Sequence, residues 1–411
     1  MSIIFLTVPA AGEEGTSPKA MTLADCYALA LKQSEKVAIQ QELITEAEAR
    51  FGKAFGAVLP DATFHSSDKR QDGRSGSAFT LKEISERRFE FTQTLFHGFK
   101  EIAAMRASRF EKEQRTHEKA RAEQILFLDV ANAFYLLLEQ QKDLNALRMT
   151  QRALVERIRE LKGREKLGRS RPSEVASAKA KLSRIEAEIQ LVHSRKVTAK
   201  QLLEFLTGLE RIEAVADSEP EHMKFDSEGT YLGRADGRAD VRAAQEAIHV
   251  AEKQVTIARA GYFPKLALEG NYYVEREGAA EGVDWDAAFT VDLPIFEGGQ
   301  TRGAVKEASA RERQAKLRLQ EARRTASLDI RDVYARLQAA IARQTALEKA
   351  LRATEEDYTL QVEDYRLSLV NNLDVLETLE DLQDARRDLI RAQYETKRLY
   401  WELKTAIGET L

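Results

Sequence analysis

The stretch "FTVDLPIFEGGQTRG", Phe289 to Gly303, decides how the rest of the chain is read. Phe289, Val291 and Leu293 alternate with Thr290 and Asp292, and a period of two marks a strand. Pro294 and the pair Gly298–Gly299 then end the pattern abruptly, and charged helical sequence follows. A second stretch, "FTQTLFHGFKE" from Phe91 to Glu101, repeats the event in a weaker form.

Working outward from these two breaks, the chain aligns with itself. Phe96-His97-Gly98 falls on Phe296-Glu297-Gly298 at an offset of 200 residues. The same offset places Asp129 on Asp329 and Phe134 on Tyr334. It also places "LGRSRPSEV" on "LSLVNNLDV", and Gly208 on Gly408. Upstream, Pro60 pairs with Pro264 at an offset of 204, so the extra four residues fall between Pro60 and Phe96. A shared register over most of the chain indicates an internal duplication. The expected boundaries are a tail at 1–21, a first repeat at 22–208, a linker at 209–233 around Pro220 and Gly229, a second repeat at 234–408, and a short tail at 409–411.

Each repeat follows one plan. A first helix (Leu23 to Val58; Ala239 to Tyr262) ends at a proline. A hairpin follows, with strands expected at about 61–71 and 84–96, then at about 265–275 and 284–295. A very long helix comes next (Phe99 to Leu167; Thr301 to Leu369), which at 1.5 Å per residue would extend on the order of 100 Å. After a brief break, a last helix runs from Ser173 to Leu206 and from Leu373 to Ile407. Leu182, Ile185, Ile189, Val192, Lys196, Ala199, Leu203 and Leu206 space a heptad seam along it. Leu382, Leu389, Thr396 and Leu403 keep part of that seam in the second copy. Such a seam asks for a partner helix, and the preceding long helix is the expected one.

The strands are about as long as a tilted membrane strand requires. Leu266, Leu268, Gly270, Tyr272 and Val274 form one side of the third. Trp285, Ala287, Phe289, Val291 and Leu293 form one side of the fourth. Phe89, Phe91, Gln93 and Leu95 do so in the second, and Ala62, Phe64 and Ser66 in the first. A small soluble hairpin packed on helices is the simpler reading, but the neighbouring helices are too long to fold back as its cover. Four strands cannot close a barrel, and an open edge in lipid is not viable. Membrane strands would therefore require an oligomer, with eight strands from two chains or twelve from three.

Composition limits the function. Charged residues make up 32% and hydrophobic ones 43%, with 7 prolines, a long-helix composition. The net charge of -4 argues against a nucleic-acid partner. No run is long and apolar enough for a membrane helix; Ile125 to Leu138 is too short and carries Asp129 and Asn132. The start, "MSIIFLTVPAAGEE", reads equally as the remnant of a signal peptide or as a tail. The single cysteine, Cys26, excludes a disulfide framework, and Asp25 before it argues against lipidation; a buried helical thiol is expected. The six histidines are scattered, and no nucleophile elbow or phosphate loop is present, so neither an enzyme, a metal nor a cofactor is expected. Acid–arginine pairs such as Glu156 and Glu160 with Arg159 and Arg164 read as a solvated helix face.

The duplicated plan resembles the TolC-like outer-membrane efflux family. So do "LPIFEGGQTRGAVKEAS", "AGYFPKLAL" and "MTLADCYALALKQSEKV", and the likeness covers nearly the whole chain. The strand-to-helix step at Pro294, Gly298 and Gly299 is its most specific part; Gly98 belongs to a degraded copy. The resemblance implies a mainly α fold with a small transmembrane β part. It implies a homotrimer in which a shared 12-stranded β-barrel lies in outer-membrane lipid and an α-barrel continues through the periplasm. The implied function is a passive exit duct for efflux or type I secretion, docked to a periplasmic adaptor and an inner-membrane transporter. A soluble coiled-coil scaffold or adaptor is the alternative.

The break between the last two helices of each repeat is the expected functional end. Asp374 and Glu377 lie three apart and share a helical face. On the residues alone, a solvated face accounts for them equally well. By the resemblance they match acidic positions that line the periplasmic entrance. Tyr365 matches a gate tyrosine, and Glu174 the acidic group it would meet. The gate arginine expected after that tyrosine is replaced by Val370. Arg366-Leu367-Ser368 resembles an adaptor-contact motif, and Lys166-Leu167-Gly168 is its first-repeat equivalent.

Overall fold

A computed structural model describes residues 20–72, 81, 83–218, 226–277 and 280–411. Most of the expected N-terminal tail, and Pro220 in the linker, lie outside the described residues. The helices are α1 (Leu23–Gln33), α2 (Glu35–Gly56), α3 (Lys100–Lys166), α4 (Pro172–Thr207), a short α5 (Glu228–Leu232), α6 (Ala239–Arg259), α7 (Gln300–Arg366) and α8 (Asn372–Ala406). The strands are β1 (Asp61–Arg70), β2 (Glu83–His97), β3 (Lys265–Arg276) and β4 (Trp285–Asp292). Helices α3 and α7 each run 67 residues. Neither contains a proline, so nothing in the sequence interrupts their ladder of backbone bonds. The helix expected from Leu23 to Val58 is instead broken at Ser34, whose ψ of 111° is extended. Ser34 still donates its backbone N–H to Ala30, closing the last turn of α1.

The chain divides into two compact units. One comprises Glu35–Glu123 and Glu228–Ile330 and holds the sheet. Its four strands lie in the order β1-β2-β3-β4, all neighbours antiparallel. Register carries one row of rings across the sheet: Phe64 opposite Phe89, Phe89 opposite Tyr272, and Tyr272 opposite Trp285. A second row joins Gln93, Leu268 and Phe289. All of these rings are exposed, as are Leu268 and Val291. The opposite face is polar, as alternation along a strand requires. There Arg88 meets Glu86 and Glu90, while Asn271 and Tyr273 donate to Asp286 at 2.9 and 2.8 Å. Irregularities at Arg87/Arg88 and Thr94/Phe96 shift the β2–β3 register. Beside the sheet, Arg50 pairs with Glu111 at 2.5 Å and ties α2 to α3. The buried Arg238 holds Asp240 through two bonds of 2.7 Å and Asp329 at 2.8 Å, fixing the start of α6 against α7. Burial alone would weaken both charges. Their pairing outweighs it, raising the guanidinium pKa and lowering that of Asp240.

The other unit comprises the described parts of Met1–Ser34, Gln124–Ser227 and Arg331–Leu411. Helix α1 opens on a capping box between Thr22 and Asp25. Tyr27, Phe127 and Trp401 pack edge to face, and Trp401 donates to the Tyr135 hydroxyl at 3.2 Å. Cys26 is buried in α1, where loss of hydration, with Asp25 adding to it, pushes its thiol up to about 12. Leu144, Leu147, Leu154, Ile158, Leu161, Ile185, Val192, Val375, Leu376 and Leu379 then form a core between α3, α4, α7 and α8. The heptad residues Ile185, Val192, Ala199 and Leu203 all lie on the buried face of α4. Arg387 of α8 crosses this core to Asp143 of α3, at 2.6 Å, and to Glu188 of α4.

Candidate gate and docking tip

The two helix breaks are αL turns of one design. After α3, the N–H of Gly168 bonds the Glu165 carbonyl and that of Arg169 the Arg164 carbonyl, at 2.9 and 2.8 Å. After α7, Ser368 and Leu369 bond the carbonyls of Tyr365 and Asp364 at 3.1 and 2.9 Å. Gly168 has φ 69° and Ser368 φ 64°. Glycine makes that conformation freely, whereas serine is strained there. The turns present Leu167, Leu367 and Leu369 to solvent with 73%, 70% and 71% of their surface exposed. Beside them an open cleft of about 510 Å³ is lined by Arg171, Ser173, Glu174, Asn371 and Leu373, among others.

The acidic pair is divided in its partners. Asp374 accepts the backbone N–H of Asn371 at 3.0 Å, while Asn371 in turn accepts the N–H groups of Leu373 and Asp374. This reciprocal cap starts α8, so Asp374 has a local folding role beside any other. Glu377, one turn further, is exposed. The next carboxylate, Glu380, receives Lys181 of α4 at 2.8 Å, and that hydrogen bond lowers its pKa.

The expected meeting of Tyr365 with Glu174 is not formed. Glu174 accepts instead from Ser170 at 2.5 Å, inside its own turn. Tyr365 is buried beneath two guanidinium groups of α3: Arg157 stands 3.8 Å and Arg164 4.5 Å from its ring centre. Arg164 keeps its expected pair with Glu160, at 3.4 Å, but is only 26% exposed and lies over the ring, so the solvated-face reading holds for Arg159 and only in part for Arg164. It is set apart from Arg159 by its register, for Arg157 and Arg164 lie seven residues apart and so share a helical face that Arg159 does not. Arg157 also donates from Nε to Asn372 at 2.9 Å and from Nη1 to Glu160 at 2.9 Å. Neither Arg157 nor Asn372 was legible as a site residue. A seven-residue step of arginines matched to a tyrosine on another helix was the only sign.

At the sheet end of the long helices, Gly98 and Phe99 have φ 58° and 63°, and Gly298 and Gly299 have φ 62° and 87°. The turn expected at Gly298–Gly299 is thus made twice. His97 faces Glu101 at 3.2 Å, and the Thr301 hydroxyl donates to Glu297, so the same one-turn spacing is bridged in both copies. Pro264 and Pro294 lie just outside β3 and β4, where their missing N–H groups remove no ladder bond.

A duplicated four-helix tip joined to antiparallel strands by such turns is a specific arrangement, and residues 235–409 match the profile of the outer membrane efflux protein family. That match covers the second repeat. Across more of its length the chain is 23% identical to the outer membrane protein TolC of Vibrio cholerae, over 82% of this chain and 79% of that one. The outer membrane protein VceC of Vibrio cholerae superposes with a TM-score of 0.81 at 23% identity, covering 94% of this chain and 96% of its own. The open state of the MtrE outer membrane channel of Neisseria gonorrhoeae gives a TM-score of 0.81 at 18% identity, with coverage of 94% and 89%. The outer-membrane-efflux fold therefore extends over the first repeat as well as the second.

Proposed function

We propose that three copies of this TolC-like chain pool their strands into one 12-stranded barrel in the outer membrane, the exit duct of an efflux or type I secretion assembly. The observation that carries this reading is the sheet: one face exposes rows of rings and aliphatic side chains, with Gln93 among them, the other is charged, and β1 and β4 each have an unpaired edge among the described residues. Apolar residues facing lipid, polar residues facing a lumen and no free edge are the conditions for a membrane barrel. Further copies satisfy the last of them. In water the same sheet would be a template for aggregation, which disfavours the soluble-scaffold reading.

The helical barrel would then lie in the periplasm. Arg366, Leu367 and Ser368, with Lys166, Leu167 and Gly168, would offer exposed leucines to a periplasmic adaptor that links the duct to an inner-membrane transporter. Asp374 and Glu377 from three copies would ring the entrance with six carboxylates and favour cations. Extraction of membranes tests the assembly. The protein should leave the membrane only with detergent and run at three times its 46.4 kDa chain mass; a water-soluble monomer would overturn it. For the entrance, Asp374→Asn with Glu377→Gln should lower cation selectivity in planar bilayers.

A further inference from the structure

We infer that Arg157 is the positioning residue of the tip: its guanidinium seats Tyr365 and Asn372 and so fixes the second hairpin, α7–α8, on the first. This rests on the duct reading for its consequence but on the protomer for its geometry. Arg157 is 8% exposed in its side chain, and Asn372 is 1% exposed. The planar group covers the Tyr365 ring at 3.8 Å, reaches Asn372 with Nε, and reaches Glu160 with Nη1. Tyr365 ends α7 and Asn372 begins α8, so one side chain of α3 holds both sides of the second break.

Three features set Arg157 apart from ordinary core packing. A planar, charged group against an aromatic face is attractive beyond its contact area, and more so when water is excluded. Only arginine can stack and donate along its edge at once; lysine carries the charge without the plane or the Nε donor. The buried Nη2 of Arg157 has no hydrogen-bond partner. Buried polar groups in native structures are nearly always paired, so an unpaired one calls for an explanation. A clasp that is charged, buried and incompletely satisfied is held by the geometry of Tyr365, Asn372 and Glu160 around it.

The test compares wild type, Arg157→Lys, Tyr365→Leu and the double variant. Spin labels are placed at Leu167→Cys and Leu367→Cys in a Cys26→Ser background, with labelled protein diluted into unlabelled copies. Arg157→Lys should broaden and lengthen the distance between the two turns and raise single-channel conductance at least threefold, with the thermal midpoint little changed. Tyr365→Leu should do the same, and the double variant should add nothing further. An unchanged label distance in folded Arg157→Lys overturns the inference. Should that variant not fold, Asn372→Ala leaves the guanidinium in place and removes one seat; it should widen the distance by less, and no widening overturns the inference equally. A widened distance in a protein whose wild type forms no channel would instead overturn the duct reading and leave Arg157 in its role.

Discussion

The two strand-to-helix turns, at Gly98–Phe99 and Gly298–Gly299, reach one backbone shape from different residues. In the second copy both left-handed positions are glycine, and a Cβ added at either would meet nothing within 4 Å. In the first copy Phe99 is forced to φ 63°, where an L-residue is disfavoured by about 1–2 kcal/mol. Phe99 is 58% exposed, so two contacts rather than burial accompany this shape. Its ring meets Phe96 edge to face at 5.2 Å, and its carbonyl accepts the Ala103 N–H at 3.0 Å. Gly98 lies so close to the turn after α6 that an added Cβ would stand 2.8 Å from the Ala260 Cα and carbonyl oxygen. One copy is made by local chemistry and the other by its surroundings.

The largest expected effect breaks this comparison directly. Gly98→Ala adds left-handed strain of about 1–2 kcal/mol to overpacking of about 1–3 kcal/mol, so a loss of about 2–5 kcal/mol is expected. Gly298→Ala adds only the strain, about 1–2 kcal/mol. Thermal unfolding in detergent measures both. Equal losses would show that Ala260 yields without resistance and that the two turns are held alike.

The same contrast explains what could be read before the structure. Gly298, Gly299 and Pro294 advertise their turn because the residue types themselves dictate it. Phe99 cannot, since nothing local favours φ 63° in phenylalanine; only its 200-residue register with Gly299 pointed there. The seam of α4 was legible because burial on one face imposes a period, and the strands because apolar and polar residues alternate across their two faces. Residues Ile185, Val192, Ala199 and Leu203 fall inward as their spacing requires. The tip was legible in place but not in partners. Periodicity says which face of α3 turns inward, but not that Arg157 and Arg164 meet Tyr365 from a helix some two hundred residues away. Arg164 was read as solvated because its acidic neighbours on α3 resemble any exposed helix. Ser34 broke a helix without proline or glycine, and no residue type there foretold it.

The two tips repeat the lesson at a smaller scale. Helix α8 begins with the Asn371–Asp374 cap, whereas α4 begins at Arg171 with no side-chain cap and Pro172 in its first turn. Asn371→Ala should therefore lower stability by about 1 kcal/mol. Arg171→Ala should change it by a few tenths at most, because no capping bond is lost. Urea unfolding of the two variants separates them. A loss at Arg171 equal to that at Asn371 would mean that the proline-led start of α4 depends on its side chain after all.

The smallest effect concerns Gly168 and Ser368, which share the left-handed position of the two tip turns at φ 69° and 64°. Replacing serine by glycine relieves strain of about 1 kcal/mol but adds some freedom to the unfolded chain, so Ser368→Gly should stabilise the protein by less than 1 kcal/mol. Gly168→Ser should destabilise it by a similar amount. Folding alone therefore favours glycine at both positions, and the chain uses it only once. Among the described residues no hydrogen bond from the Ser368 hydroxyl offsets the strain, and the leucines on either side of it are exposed. The proposed adaptor contact would give this hydroxyl a use outside the protomer. If that use is adaptor contact, Ser368→Gly should melt higher than wild type and yet export less. A variant that melts higher and exports normally would move the contact off Ser368 and onto Leu367 and Leu369 beside it.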